Sequence, residues 1–300
     1  MTAIILAVVA VSAFAYEQYQ SSQISVLVLA TTTSTYDSGL LDYLMPKFES
    51  KYNIDVHMLS LGTGQSIDAA KRGDADLTLV HSKTLELNFT ASGYGIHRVG
   101  VMYNDFIIIG PTTDPAGISG LTNATEAFKR IADTGAAGNT HFVSRADKSG
   151  TNTLELSIWS QLEMAPSNKT QTWYVEAGAS MGTVLRMTNE KKAYTLTDRA
   201  TWGTYESQLT NLMLLVQSDK TLLNPYSIIL VNPEKWSQRN YKGALAFAKY
   251  MISEEGQTVI ASFTKYGKAL FIPMARNVTL ASSLGFPNQQ QELAWYDLQP

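Results

Sequence analysis

Thr31, Thr32, Thr33 and Ser34 place four hydroxyls in succession, directly after the apolar run Val26 to Leu29 and before a helix-like repeat. A strand that ends in such a turn delivers the chain to a helix N-terminus. There the first backbone N–H groups lack intrahelical partners and the macrodipole leaves partial positive charge. Thr and Ser add donors of their own, so the turn suits an anion; the plainer alternative is that they only cap the helix. A second loaded turn runs Arg145-Ala146-Asp147-Lys148-Ser149-Gly150-Thr151. Ser149 can cap, Gly150 lets a backbone approach a ligand, and Thr151 adds a donor. Arg145 brings a planar, permanently charged fork of donors that matches an oxyanion, unless it serves only to pair with Asp147. Gly62-Thr63-Gly64 and Ser82 end two further apolar runs, and Thr63 and Ser82 join the candidates, although glycines punctuate turns everywhere.

Catalysis has one candidate. Gly178-Ala179-Ser180-Met181-Gly182 matches the nucleophile-elbow pattern in its strand-then-helix setting, which raises a secreted serine hydrolase at Ser180. Its triad order is Ser, acid, His, yet His57, His81, His97 and His141 all precede Ser180. The histidines are too scattered for a close ligand pair, and no P-loop or dinucleotide fingerprint occurs. No catalytic residue, cation site or cofactor is therefore assigned. The remaining inventory, neutral donors in turns plus one Arg, suits capture of a small anion without chemistry.

The elements that must position these turns alternate. Val26–Leu29, Ile54–Ser60 and Asp76–His81 read as strands, the first two each followed by a helical repeat, and in open α/β sheets ligands sit outside the carboxyl ends of strands. Leu40, Leu41, Leu44, Phe48 and Tyr52 mark a helix interrupted by Pro46, which predicts a kink or two short helices. Two similar segments, Met102–Gly110 and Asn224–Asn232, share a polar, Tyr-containing entry, an apolar run and a following Pro. Read as crossovers, they make residues 25–110 with 224–285 one discontinuous lobe and 111–223 an inserted second lobe. Within the insert, His141–Ser144, Thr172–Glu176 and Ala193–Thr197 read as strands. Ala244–Ile252 and Gly256–Phe263 read as closing helices, and the Gln-rich tail, 286–300, shows no pattern and is expected to be poorly ordered.

The chain has 300 residues, 45% of them hydrophobic and 16% charged, with a net charge of −3. This is enough for roughly two domains, and with no Lys/Arg run it argues against nucleic acid as a partner. The absence of cysteine excludes thiol chemistry, disulfides and a lipid-modified Cys. Within residues 1–20 the run Ala3 to Tyr16 is apolar except for one Ser and holds a small-x-small pattern at Ala13-Phe14-Ala15, so residues 1–20 read as a signal peptide or an N-terminal anchor, although no Lys or Arg precedes the run. Sequons at Asn88, Asn123, Asn168 and Asn277 fit an exported, extracytoplasmic protein.

The segments ATTTSTYDSGLLDYLMPKFE, LGTGQSID, GDADLTLVH, VMYNDFIIIGP, FVSRADKSGT, EAGASMG, AYTLTDRATW and NPYSIILVNP, in this order, resemble the tungstate-binding proteins of TupA-type ABC importers from about residue 25 to 275. The resemblance implies an α/β, type II periplasmic-binding-protein fold: two lobes, each a mixed sheet flanked by helices, with the ligand in the cleft between them. It implies tungstate, with molybdate as a second ligand, captured by a monomer and handed to an ABC transporter permease. Carried over residue by residue, it points to Thr32, Thr33, Ser34 and Arg145, with Ser149, Gly150 and Thr151 opposite; Thr63 and Ser82 are weaker. The family's usual Gly after the Arg is Ala146 here, and its frequent Ala is Ser82. Phosphate-binding relatives share the Arg-x-Asp-x-SGT turn, but carry an Asp after the third strand to accept the phosphate proton. Val80-His81-Ser82-Lys83 has none, which favours a fully deprotonated dianion: tungstate, molybdate or sulfate.

Overall fold

A computed structural model describes residues 24–265 and 267–300, apart from the side chains of Ser34 and Lys268. The expected signal peptide or anchor at 1–20 lies outside the described residues. Among the described residues no helix is long and apolar enough to cross a membrane.

Three parallel strands, β1 (Ser25–Thr32), β2 (Ile54–Leu61) and β3 (Leu77–Val80), open the fold. The long strand β4 (Gly95–Pro111) leads into β5 (Phe142–Ser144), β6 (Tyr174–Glu176), β7 (Thr195–Asp198) and β8 (Leu212–Val216), and β9 (Leu223–Val231) returns. A small hairpin, β10 (Thr264–Lys265) and β11 (Lys268–Ala269), precedes β12 (Ile272–Pro273). The first sheet runs β2-β1-β3-β9-β4-β12. Strand β4 changes partner in mid-course: up to Asp105 it pairs antiparallel with β9, and from Phe106 onward with β7 and β8. One strand thus belongs to both lobes. In the second lobe β5 pairs parallel with β6, and a Phe142–Tyr194 bridge ties β5 to the residue before β7.

Helices α1 (Thr33–Asp37), α2 (Leu40–Tyr52), α3 (Thr63–Arg72) and α4 (Lys83–Ala91) cover the first sheet. Helices α5 (Ala124–Ala136), α6 (Gly150–Gln161), α7 (Met181–Lys191) and α8 (Arg199–Tyr205) cover the second. Helices α9 (Tyr241–Ile252), α10 (Glu254–Ser262), α11 (Val278–Ser283) and α12 (Gln289–Leu298) return to the first lobe. Strand alternation sorts the cores. Leu27, Leu29, Ile228 and Leu230 face one cluster with Leu44, Phe48 and Phe247, while Ala30, Ile229 and Val231 face another with Ile67 and Phe89. In the second lobe Phe106 and Ile108 join Phe128, Phe142 and Trp159, whereas Ile107 and Ile109 join Val143, Leu185 and Trp202. Strands buried on both faces are why these runs read as unbroken apolar stretches.

Three expectations are corrected. Helix α2 continues through Pro46 and does not divide into two short helices there, and the break comes earlier, at Gly39 with φ +83; buried Met45 and Phe48 on either side hold the turn that Pro46 weakens. Threonines 31 and 32 belong to β1, not to the turn. The Gln-rich tail is not poorly ordered: it forms α12, whose Leu293 and Tyr296 enter the first core. Strand β8 and helices α4 and α5 occupy stretches where the sequence assigned no element.

Candidate functional site

The carboxyl ends of β1, β2, β3, β5 and β7 converge on one cavity of about 50 Å³ between the lobes, several times the roughly 10–15 Å³ one water needs. The first lobe and its crossover strands contribute Thr32, Thr33, Gly62, Thr63, His81, Asn104, Asn224 and Tyr226. The second contributes Phe106, Arg145, Ser149, Gly150, Thr151 and Asp198.

Two helix N-termini face each other here. Helix α3 starts at Thr63 after the N-cap Gly62, and α6 starts at Gly150 after the N-cap Ser149. Each presents first-turn N–H groups and the positive end of its dipole, so both lobes offer this cavity an end suited to an anion. The hydroxyls divide their duties. Thr31 Oγ1 donates to the Leu79 carbonyl at 2.9 Å and so stitches β1 to β3. Thr32 Oγ1 lies 2.6 Å from Thr35 Oγ1 and accepts from Thr35 N at 3.3 Å; Thr33 is exposed at the cavity wall. Ser149 Oγ accepts from Asn152 N at 3.3 Å, the capping role foreseen for it.

Arg145 follows β5 and makes an ion pair with Asp147 at 2.5 Å. Among the described residues the pair leaves Arg145 Nε buried without a hydrogen-bond partner, an unmet donor beside the cavity that an oxyanion would satisfy. The loop around it is held from below. Ser144 Oγ donates to buried Glu155 at 2.6 Å and accepts from Ala146 N, while Glu155 also takes Tyr174 Oη at 2.6 Å and Trp159 Nε1 at 3.1 Å. Burial pushes the Glu155 carboxyl above its usual range despite these donors. Ala146 and Lys148 sit at φ +49 and φ +60, left-handed positions that cost a non-glycine residue roughly 1–2 kcal/mol each. A Gly would relieve the first, so this chain keeps a strained turn beside Arg145.

Not every residue singled out from the sequence reaches the cavity. Ser82 does not line it: its N–H is taken by Glu86 Oε1 at 2.6 Å. Of Ser34 only the backbone position in α1 is described. Conversely, His81, Asn104, Asn224, Tyr226 and Asp198 were not foreseen. The stretch Val80 to Lys83 of the first lobe carries no acid, but Asp198 supplies a carboxylate from the second, so the cavity is not free of acid. Its Oδ1 accepts from Thr201 N at 2.8 Å and its Oδ2 from Thr201 Oγ1 at 2.7 Å, capping α8.

A cleft of about 490 Å³ adjoins the cavity, sharing Thr33, Arg145 and Asp198 and adding Ser180, Arg186 and Lys265. Ser180 has an ordinary extended backbone, φ −62 and ψ 156, and its hydroxyl lies 3.2 Å from Thr183 Oγ1. This lacks both the strained turn and the base a nucleophile elbow needs. A roomier groove of about 610 Å³ beside Glu254 and Arg276 holds none of the converging strand ends.

Two α/β lobes joined by crossover strands, with polar turns of both meeting in the cleft, define the periplasmic-binding-protein class. A model of the PBP superfamily domain matches residues 12–255. The tungstate-binding protein TupA of Peptoclostridium acidaminophilum is 43% identical over 253 residues, covering 83% of this chain and 86% of that protein. The solved TupA of Desulfovibrio alaskensis G20 superposes with a TM-score of 0.76 at 42% identity, covering 83% of this chain and 98% of that one. The tungstate ABC transporter structure from Geobacter sulfurreducens gives 0.69 at 44% identity, over 79% and 98%. The chain belongs to the PBP superfamily and, within it, to the TupA family. These relatives are named as binding and transport proteins, not enzymes.

Proposed function

We propose that this protein is a monomeric, extracytoplasmic solute-binding protein that captures tungstate, with molybdate as a second ligand, and delivers it to the permease of an ABC importer. The observation that carries the reading is the cavity lined by the first residues of α3 and α6, one helix from each lobe, together with Arg145, whose Nε is unmet among the described residues. That donor set recognises a tetrahedral dianion, and the names of relatives more than 40% identical supply tungstate. Thr32, Thr33, Ser34, Thr63, Arg145, Ser149, Gly150 and Thr151 form the contact set in this reading. Residues 25–110 with 224–285 move as one lobe against 111–223, turning where β4 changes partner, and residues 1–20 direct export or anchor the chain outside the membrane.

Phosphate keeps a place because Asp198 lines the cavity and a carboxylate could accept the remaining phosphate proton. Titration calorimetry of residues 24–300 with tungstate, molybdate, sulfate and phosphate at neutral pH and fixed salt decides. Tight one-to-one binding of tungstate with weak sulfate and phosphate is expected; silence toward all four would leave the turns as helix caps.

A further inference from the structure

Four side chains form a polar floor under the cavity: His81, Asn224, Asn104 and Tyr226. Asn104 and Asn224 are register partners on the two crossover strands. Asn224 Nδ2 donates to Asn104 Oδ1 at 2.8 Å and to the Tyr226 hydroxyl at 3.2 Å, and Asn104 Nδ2 donates to the same hydroxyl at 3.2 Å. With its amide nitrogen so engaged, Asn224 turns Oδ1 toward His81 Nδ1, 3.0 Å away. A carboxamide oxygen accepts only, which makes Nδ1 the protonated nitrogen and leaves Nε2 a bare lone pair. His81 lines the cavity, and its Nε2 has no hydrogen-bond partner among the described residues. An oxyanion oxygen is repelled by a lone pair and attracted by an N–H, so one of the two must change when the ligand enters.

We propose that His81 is a further ligand contact that takes one proton from solvent onto Nε2 as the oxyanion binds, so that a neutral imidazole in the empty cleft becomes an imidazolium in the loaded one. The inference rests on the oxyanion reading above. No bond of the ligand is made or broken. The charged and titratable groups around the ring are few. From the second lobe come Arg145, paired with Asp147, and Asp198, held by Thr201. From β9 comes the Tyr226 phenol, 4.7 Å from the imidazole between ring centroids. Strands β4 and β9 otherwise offer the neutral amides, α6 offers uncharged Gly150 and Thr151, and Lys83 lies along Gly285. His81 is half-buried and lines the cavity, and removal from bulk water holds the empty-state imidazole down at about 4. Two negative charges placed in the same cavity favour the charged form instead.

The test is calorimetry on residues 24–300 with tungstate at pH 7, in buffers of different ionisation enthalpy, followed by a series from pH 6 to 8. We expect uptake of about one proton per tungstate, and affinity that falls about tenfold per pH unit, as linkage requires of one proton gained on binding. His81→Gln keeps an amide N–H and cannot titrate, so it should bind with neither the uptake nor the slope. Wild-type binding without proton uptake overturns the proposal, and so does uptake that persists in His81→Gln. Absence of binding to tungstate and molybdate alike would sink the oxyanion reading itself, a failure distinct from binding with zero uptake.

Discussion

Gly150 stands directly against the His81 ring across the cleft: a Cβ added at Gly150 would lie 2.6 Å from His81 Cε1 and 3.1 Å from Nδ1. The two residues sit on opposite lobes, one at the start of α6 and one just past β3, and Asn224 and Tyr226 hold the ring from behind. Gly150→Ala should therefore hold the lobes apart. Tungstate affinity is expected to fall at least about tenfold, the scale of one lost charge-assisted hydrogen bond, while the ligand-free melting temperature changes little. Calorimetry gives the affinity, and solution scattering should show less contraction on ligand addition than in wild type. Unchanged affinity would mean that the ring steps aside.

Arg145 brings a cationic fork to the cavity, and hydrogen bonds to a charged partner contribute about 1.5–3 kcal/mol. Arg145→Ala should weaken tungstate binding at least about tenfold. Arg145→Lys keeps the charge but loses the planar fork, so its affinity should fall between the two. Wild-type affinity in Arg145→Ala would remove the residue from the site and leave it as Asp147's partner.

Asp198 separates the two anion classes. A dianion should bind Asp198→Asn more tightly, by roughly tenfold, since charge repulsion in a partly solvated site is on the order of 1–4 kcal/mol. Asn retains an oxygen for the α8 cap, so the fold should stand. If the ligand were phosphate, the same change would remove its proton acceptor and weaken binding. Parallel titrations of tungstate and phosphate give opposite signs for the two cases.

The architecture was legible because strand ends announce themselves: apolar runs closing on Thr, Ser, Gly or Arg marked the sites that line the cavity, including Thr63 and Arg145. The same rule extends to His81, which directly follows β3, although in the sequence it stands as one of four scattered histidines. Asn104 and Asn224 stood in the polar entries of both crossover segments, but only the pairing of β4 with β9 shows that they face each other. Nothing local distinguishes Ser82, whose N–H is captured by Glu86 within the same helix, from a strand-end donor left open. The second-lobe acid escaped because Asp198 comes late in the chain and reaches the cavity only through the fold.

His81 also sets a pH window for stability without ligand. Its folded-state pKa, about 4, lies below the usual 6.5, so between those values the unfolded chain binds more protons than the native one. Stability is then complete above about pH 6.5 and falls as pH drops toward 4, by on the order of 2–3 kcal/mol. Glu86 and Glu155, whose carboxyls burial pushes up, slope the other way. The measurable quantity is therefore the difference between wild type and His81→Gln in urea unfolding at pH 7 and pH 4.5. His81→Gln should lose less stability than wild type on acidification, and parallel losses would deny the buried neutral imidazole.

The C-terminal helix makes the last prediction. Gln289 is buried to 1% exposure and acts as a piece of strand: its Oε1 accepts from Gly100 N at 2.8 Å, and its Nε2 donates to the Gly100 and Ala275 carbonyls at 2.8 and 2.9 Å. Gly100 lies in β4, the strand shared by both lobes, so this amide fastens α12 to the element around which the cleft is built. Gln289→Ala leaves a buried N–H and two carbonyls short of a partner, and each unsatisfied group costs about 1–3 kcal/mol. Water admitted to the gap would recover part of this, so a loss of about 2–4 kcal/mol is expected. Gln289→Glu should be worse than a conservative change usually is, because an ionised carboxylate would face the two carbonyls that now accept from Nε2. Urea unfolding of both variants checks the order, and tungstate affinity at saturating protein stability should stay near wild type, since Gln289 lies outside the cavity. A loss below about 0.5 kcal/mol in Gln289→Ala would show that α12 rests on its other anchors, among them Leu293, Tyr296 and the His97–Glu292 pair.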